Sequence, residues 1–239
     1  MKIKFHYIII ALLIAATGCK KDNYDAPSSK LSGHLVYKGE HVNVEFNQVP
    51  FQLFQPGFGK TGAIDGTFDQ DGAYSTLLFN GNYKFTMSTN QGPFLWKEIA
   101  GGKRDTVAVT VNGDQTLDIE VTPFYMVRQP VFTATGGKLT AVFNIEKVVT
   151  DNNAKDIERV ILYINKTQFV SGADKINIED NNNDPAILSG SAIVNMNGVT
   201  ITDAIPSITP TQNYVFARIG IKIAGVEDMV FSPVTKVTF

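Results

Sequence analysis

From residue 30 onward the chain holds no amphipathic helix longer than two turns. Its apolar residues alternate in short runs, broken by Gly, Asn, Asp and Pro at roughly 8–12 residue spacing. A period of two sends every second side chain to one face of a strand, so many such runs build a sandwich or a barrel. The clearest case is Val107, Val109 and Val111, then Asn112-Gly113-Asp114, then Leu117, Ile119 and Val121. Apolar residues two apart on both sides of an Asn-Gly predict a hairpin. Further strands are predicted over 31–37, 49–54, 66–68, 73–75, 84–88, 131–135, 139–149, 157–164, 192–194, 214–223, 229–231 and 233–239. Asp69-Gln70-Asp71-Gly72 and Ala224-Gly225-Val226 read as turns. In 214–223, Val215, Ala217, Ile219, Ile221 and Ile223 share one face, and Phe216, Arg218, Gly220 and Lys222 the other. The 16 Phe and 8 Tyr, with many Val, Ile and Thr, suit strands.

The segment 123–130 reads as a boundary. A strand ends at Thr122-Pro123, the pair Phe124-Tyr125 follows, and Gln129-Pro130 restarts an extended stretch. The expected architecture is all-β, with two tandem β-sandwich domains over 30–123 and 124–239. Limited proteolysis is expected to cut in the segment before Leu31 or near 125–129, leaving two folded β-rich pieces.

The N-terminus has a different character. Lys2 and Lys4 give a positive start, residues 7–16 an apolar run, and Ala16-Thr17-Gly18 small residues before the sole cysteine, Cys19. The run is too short to span a hydrocarbon core of ~30 Å as a helix, and the whole pattern is that of a cleaved export signal over 1–18. It resembles the lipobox of bacterial lipoproteins, with Ala16 where leucine is usual. The resemblance implies that Cys19 accepts a diacylglycerol; the other reading is an ordinary secretory signal with an incidental cysteine. Each buried acyl methylene contributes about 0.8 kcal/mol, so two or three chains (palmitate among them) anchor stably in outer-membrane lipid. Residues 19–29 are polar, contain Pro27 and read as a tether. Charged residues after the cysteine resemble the surface-export signals of Bacteroidetes lipoproteins, which usually carry more acid than Asp22 and Asp25 supply. This implies a lipid-anchored protein of the outer membrane, facing the exterior.

Three resemblances bear on the rest. Gly33-His34-Leu35-Val36-Tyr37, Gly66-Thr67-Phe68, Asp71-Gly72-Ala73-Tyr74 and Gly81-Asn82-Tyr83-Lys84-Phe85 resemble the carboxypeptidase-regulatory or transthyretin-like sandwich, in which the Asp-Gly pair turns a hairpin. Residues 214–239 resemble the last hairpin of a fibronectin type III or immunoglobulin-like domain. With Asn23-Tyr24-Asp25-Ala26-Pro27, Gly92-Pro93-Phe94-Leu95-Trp96 and Val121-Thr122-Pro123-Phe124-Tyr125, the chain looks like a two-domain Bacteroidetes lipoprotein family of unknown function. Such proteins resemble accessory members of glycan-uptake loci beside starch-utilisation-type transporters. What this implies is non-catalytic binding of a glycan or of a partner transport protein. A structural or adhesive surface spacer is the rival reading, and a glycoside hydrolase a third.

Candidate chemistry is sparse. Beyond the signal the histidines are His34 and His41, neither in a metal-ligand spacing. No carboxylates sit in a recognisable glycosidase motif. Asp65, Asp69 and Asp71 with Gly72 share features with a calcium loop, as does Asp180-Asn181-Asn182-Asn183-Asp184, but turn and solvated loop are the expected roles. No metal and no cofactor is expected. Removing Lys2 and Lys4 lowers the formal charge from -2 to -4, and no basic block remains to bind nucleic acid. Trp96 is the sole tryptophan and lies in a Gly/Pro loop with Phe94, beside Asn90, Gln91 and Lys97. Either its ring stacks on a sugar while those polar neighbours read hydroxyls, or Trp96 and Phe94 plug the sandwich or the domain interface.

Overall fold

The computed structural model describes residues 25–57, 62–88, 91–101, 103–177 and 185–239. Cys19 and the signal, Asn90 and the 180–184 loop lie outside them. The structure is all-β, and among the described residues the one helical element is a 3₁₀ turn, Gly190–Ala192. No described helix is long and apolar enough to cross a membrane.

The first half is two facing sheets. One is organised on Ser29–Tyr37, which pairs antiparallel with Ala73–Leu78 and Glu40–His41, and parallel with Gln115–Thr116 and Ile119–Glu120. The other runs in the order Val107–Val111, Gly81–Met87, Pro50–Phe54, Ala63–Thr67. Alternation sends Leu31, Leu35, Phe51, Leu53, Tyr83, Phe85 and Met87 between them, all buried. Phe51 lies at the centre of the aromatic packing, stacked on Phe85 at 4.9 Å and edge-on to Tyr74 at 5.1 Å. Such pairs contribute about 0.5–1.5 kcal/mol each beyond area burial.

Two turns differ from expectation. Residues 107–121 are not a hairpin: Val107–Val111 pairs with Gly81–Met87, and after Gly113 the chain crosses to run parallel to Ser29–Tyr37 in the other sheet. Alternation is the same in either arrangement, so the pattern did not distinguish them. The parallel pairing is interrupted, and three acids meet the amides it leaves: Asp114 accepts from Lys30 N–H (2.9 Å), Asp118 from His34 (3.0 Å) and Glu120 from Lys38 (2.8 Å). Gly33 lies where the strands approach most closely, since a Cβ there would fall 2.0 Å from the Leu117 carbonyl oxygen. The turn over 69–72 does form, with Asp69 Oδ1 accepting from the Asp71 and Ala73 amides. It joins the two sheets instead of closing a hairpin within one.

In the second half, Tyr125–Thr135, Lys138–Lys147 and Val199–Ala204 form one sheet. Ile187–Ser189, Ile157–Asn165, Tyr214–Ile223 and Met229–Phe231 form the other, with Thr235–Thr238 also on Tyr214–Ile223. The first strand starts at Tyr125, not at 131. Gln129-Pro130 is a bulge within it, Gln129 being at φ 50°, because Pro130 cannot donate to the ladder. The strand predicted over 192–194 is absent, and Val194 is fully in solvent at 96 % exposure. A strand not anticipated, Val199–Ala204, buries Val199 and Ile201 while Thr200 turns outward.

Tyr214–Ile223 is buried on both faces. Val215, Ala217, Ile219, Ile221 and Ile223 enter the second core as expected, but Arg218 and Gly220 on the other face are also buried. Phe231, Tyr163 and Met229 of the second half cover Gly220, and the first half covers Arg218. Arg218 Nη2 donates to the Val44 carbonyl (2.6 Å), Phe231 N–H to Asn43 O (3.0 Å) and Gly172 N–H to Glu45 Oε1 (2.9 Å). A smaller apolar cluster of Ile161, Tyr163, Val170, Met229 and Phe231 lies on this face.

Candidate ligand-binding cleft

The loop 91–96 is shaped by Gly92. Its φ of 85° is a left-handed conformation, and a Cβ there would fall 2.3 Å from the Phe94 ring. Phe94–Leu95 then pairs with Thr122–Pro123, and Phe124 N–H donates to Pro93 O (3.1 Å). Trp96 follows with its ring 6.4 Å from Phe85 and its Nε1–H donated to the Asp105 carbonyl (3.0 Å).

Across from this loop stands the Gly225 turn of the second half. Asp228 reaches over and accepts from Gly92 N–H at 2.6 Å. Burial raises the Asp228 pKa, and the Gly92 bond only partly offsets that. An acid whose folded pKa is raised is more stably folded when protonated, so its contribution is lost as pH climbs through the folded pKa. Asp228→Asn keeps an acceptor for Gly92 and removes the charge. In thermal melts it is expected to raise Tm at pH 7. The gain should shrink as pH is lowered; an unchanged or reduced Tm at pH 7 would contradict this account.

Between loop and turn lies a cleft of about 460 Å³. Phe94, Leu95, Trp96 and Phe124 contribute apolar wall, and Glu98, Arg104, Lys155 and Glu227 the charged groups. Lys155 Nζ lies 5.9 Å from the Phe124 ring centre and donates to Gly225 O (3.4 Å). Arg104 sits on the two-residue strand Lys103–Arg104, paired with Glu98–Ile99. Its Nε is buried with no hydrogen-bond partner among the described residues. Burial lowers the Arg104 pKa, and Glu98 opposes that. An unpaired buried donor costs about 1–3 kcal/mol, a cost that an apolar side chain at this position would not carry.

The residues singled out from sequence separate here. Trp96 and Phe94 line the cleft, but at 6 % and 2 % exposure they are part of the core, not an open platform. Lys97 is exposed and Gln91 half-buried, and neither lines the cleft. Arg104, Lys155 and Glu227 were not anticipated, since a lone charge on a loop carries no motif. His34 and His41 stack at 4.0 Å, with Asp118 3.9 Å from His34. No described group of three His, Cys, Asp or Glu could hold a metal ion.

Two family models match the chain. One, described as the N-terminal domain of a protein of unknown function (DUF3823), covers 29–122, and the other, a domain of unknown function (DUF3823_C), covers 125–236. A DUF3823 family protein from Bacteroides ovatus is 32% identical, spanning 88% of this chain and 99% of its own, with a TM-score of 0.73. Another from Parabacteroides merdae is 29% identical over 90% of this chain and 100% of its own, with a TM-score of 0.74. A Bacteroides uniformis protein described as a candidate carbohydrate-binding protein shares the fold at 17% identity and a TM-score of 0.68, over 90% of this chain and 100% of its own. No curated protein matches. The chain is a member of the DUF3823 family, with its two-domain sandwich fold.

Proposed function

We propose that this protein is a non-catalytic, lipid-anchored binder of glycans at the outer membrane, serving a glycan-uptake system. The observation that carries the reading is the cleft between the halves. Its volume lies in the range of small-ligand sites. Phe94, Leu95, Trp96 and Phe124 give an apolar wall against which a sugar's C–H groups can pack, and Glu98, Arg104, Lys155 and Glu227 supply donors and acceptors for hydroxyls. The Bacteroides uniformis protein, named for carbohydrate binding, supports the reading through its fold alone. A transport protein of the starch-utilisation type is the partner proposed to receive the glycan.

Trp96 is the sole tryptophan and lines the cleft, so intrinsic fluorescence reports its occupation. Titration with soluble starch, xylan, galactomannan and pectin is expected to give a saturable shift with at least one. Arg104→Leu should weaken that binding about tenfold, the effect of ~1.4 kcal/mol, without lowering Tm. No saturable response to any polymer would reject the reading in favour of a spacer, and release of reducing ends would favour a hydrolase. The anchor is tested separately. Cys19→Ala should move the protein from the membrane to the soluble fraction, and an unmodified native N-terminus by mass spectrometry would remove lipidation from the proposal.

A further inference from the structure

Phe46, from the first half, and Phe169, from the second, meet with ring centres 6.1 Å apart and planes at 61°. Both remain in solvent, at 40% and 47% exposure, and neither lines the cleft. A single exposed ring needs no explanation. A contacting pair contributed by both halves, on loops tied down on each side, is a different matter. Asn47 sits at φ 59°, its N–H donates to Phe68 O (3.0 Å), and its Oδ1 accepts from Thr67 (2.7 Å). On the facing loop, Gln70 Nε2 donates to Gln168 O (2.9 Å), Asn165 Nδ2 donates to Phe169 O, and Val170 beneath is buried. The rings are thus held in place before any ligand arrives.

We infer that Phe46 and Phe169 form a second glycan contact, a wedge on which one or two sugar rings lay their C–H faces. The area decides between a sugar and a protein. A whole Phe offers about 150–250 Å², so the exposed parts of both together give roughly 150–200 Å². That covers a sugar ring or two and falls far below the ~800 Å² per partner of a stable protein interface. The flanks supply matching polarity: Gln48 and Gln168 are exposed, and their side-chain amides make no hydrogen bond among the described residues. Those amides are free to read hydroxyls beside the rings.

This inference rests on the glycan reading, so its test includes a cleft variant. Wild type, the Phe46→Ala/Phe169→Ala double variant and Arg104→Leu are run through native gels containing soluble starch, xylan, galactomannan or pectin. Wild type is expected to be retarded by at least one polymer. The double variant should lose at least tenfold in affinity while keeping the far-ultraviolet circular dichroism of wild type, with Tm lowered by several degrees because more than half of each ring is buried. Arg104→Leu should retain the part of the retardation that the wedge supplies. A double variant retarded like wild type, with retardation lost in Arg104→Leu, overturns the inference and leaves the cleft as the site. No retardation of wild type by any polymer overturns both readings. A wild-type dimer in sedimentation that the double variant abolishes would assign the pair to a second copy of the chain instead.

Discussion

Trp96→Ala is expected to cost about 3–5 kcal/mol, the range for removing a large buried ring from a core that cannot collapse. For a chain of this size that lowers Tm by roughly 10 °C or more. The ring is 6 % exposed and packs toward Phe85, which is stacked on Phe51. The cost is mainly the lost packing and the cavity left behind. The Asp105 carbonyl that Nε1–H bonds is not orphaned by the change, because it also accepts from Thr86 Oγ1 at 2.9 Å. Trp96→Phe should therefore recover most of the stability. Melts followed by far-ultraviolet circular dichroism decide it, since the fluorescent reporter is removed. A Trp96→Ala protein that melts with wild type would mean the ring is not the plug its burial implies.

The strands were legible wherever one face meets a core and the other meets water. Leu31, Gly33 and Leu35 alternate with Lys30, Ser32 and His34, and Ser29–Tyr37 was found nearly to its ends. Partners were not legible, because period two records which face is buried and not which strand lies alongside. That is why 107–121 read as a hairpin. Val199-Thr200-Ile201-Thr202 carries the same alternation, whereas Ala192-Ile193-Val194 is three apolar residues without a polar alternate and forms no strand. The cleft was half legible. An aromatic loop between Gly and Trp pointed to Phe94 and Trp96, but Arg104 and Glu227 are brought together only by the docking of the halves. Phe46 and Phe169 lie more than a hundred residues apart, and nothing local marks them as a pair. Arg218 was placed on the strand face opposite the core, where a charge usually meets water, and only the first half explains its burial.

That docking underlies the second large effect expected. Arg218 has no exposed surface, its guanidinium carbon lies 3.6 Å from the Phe231 ring centre, and it donates to the carbonyls of Val44 (2.6 Å) and Gln70 (3.4 Å). Burial lowers its pKa to about 9, against the pull of Glu45, Asp71 and Tyr163 in the other direction, so the side chain enters the interface charged at neutral pH. Its Nε has no partner among the described residues. Arg218→Ala removes the cation–ring contact, two bonds to the first half and the bulk of a large side chain, for an expected loss of about 3 kcal/mol or more. Arg218→Met restores volume and ring contact and spares the cost of burying a charge, so it should recover much of that loss. The more telling readout is cooperativity. Wild type should unfold in one transition, because separating the halves strands a charged side chain's partners and opens the Tyr163–Phe231 cluster to water. For the same reason, nicking at 125–129 alone should not yield two independently folded pieces, contrary to what the Pro123–Pro130 segment suggests in sequence. Arg218→Ala should split the calorimetric transition or broaden it. Two transitions in wild type itself would mean that the halves are stable apart and that Arg218 merely fills the seam between them.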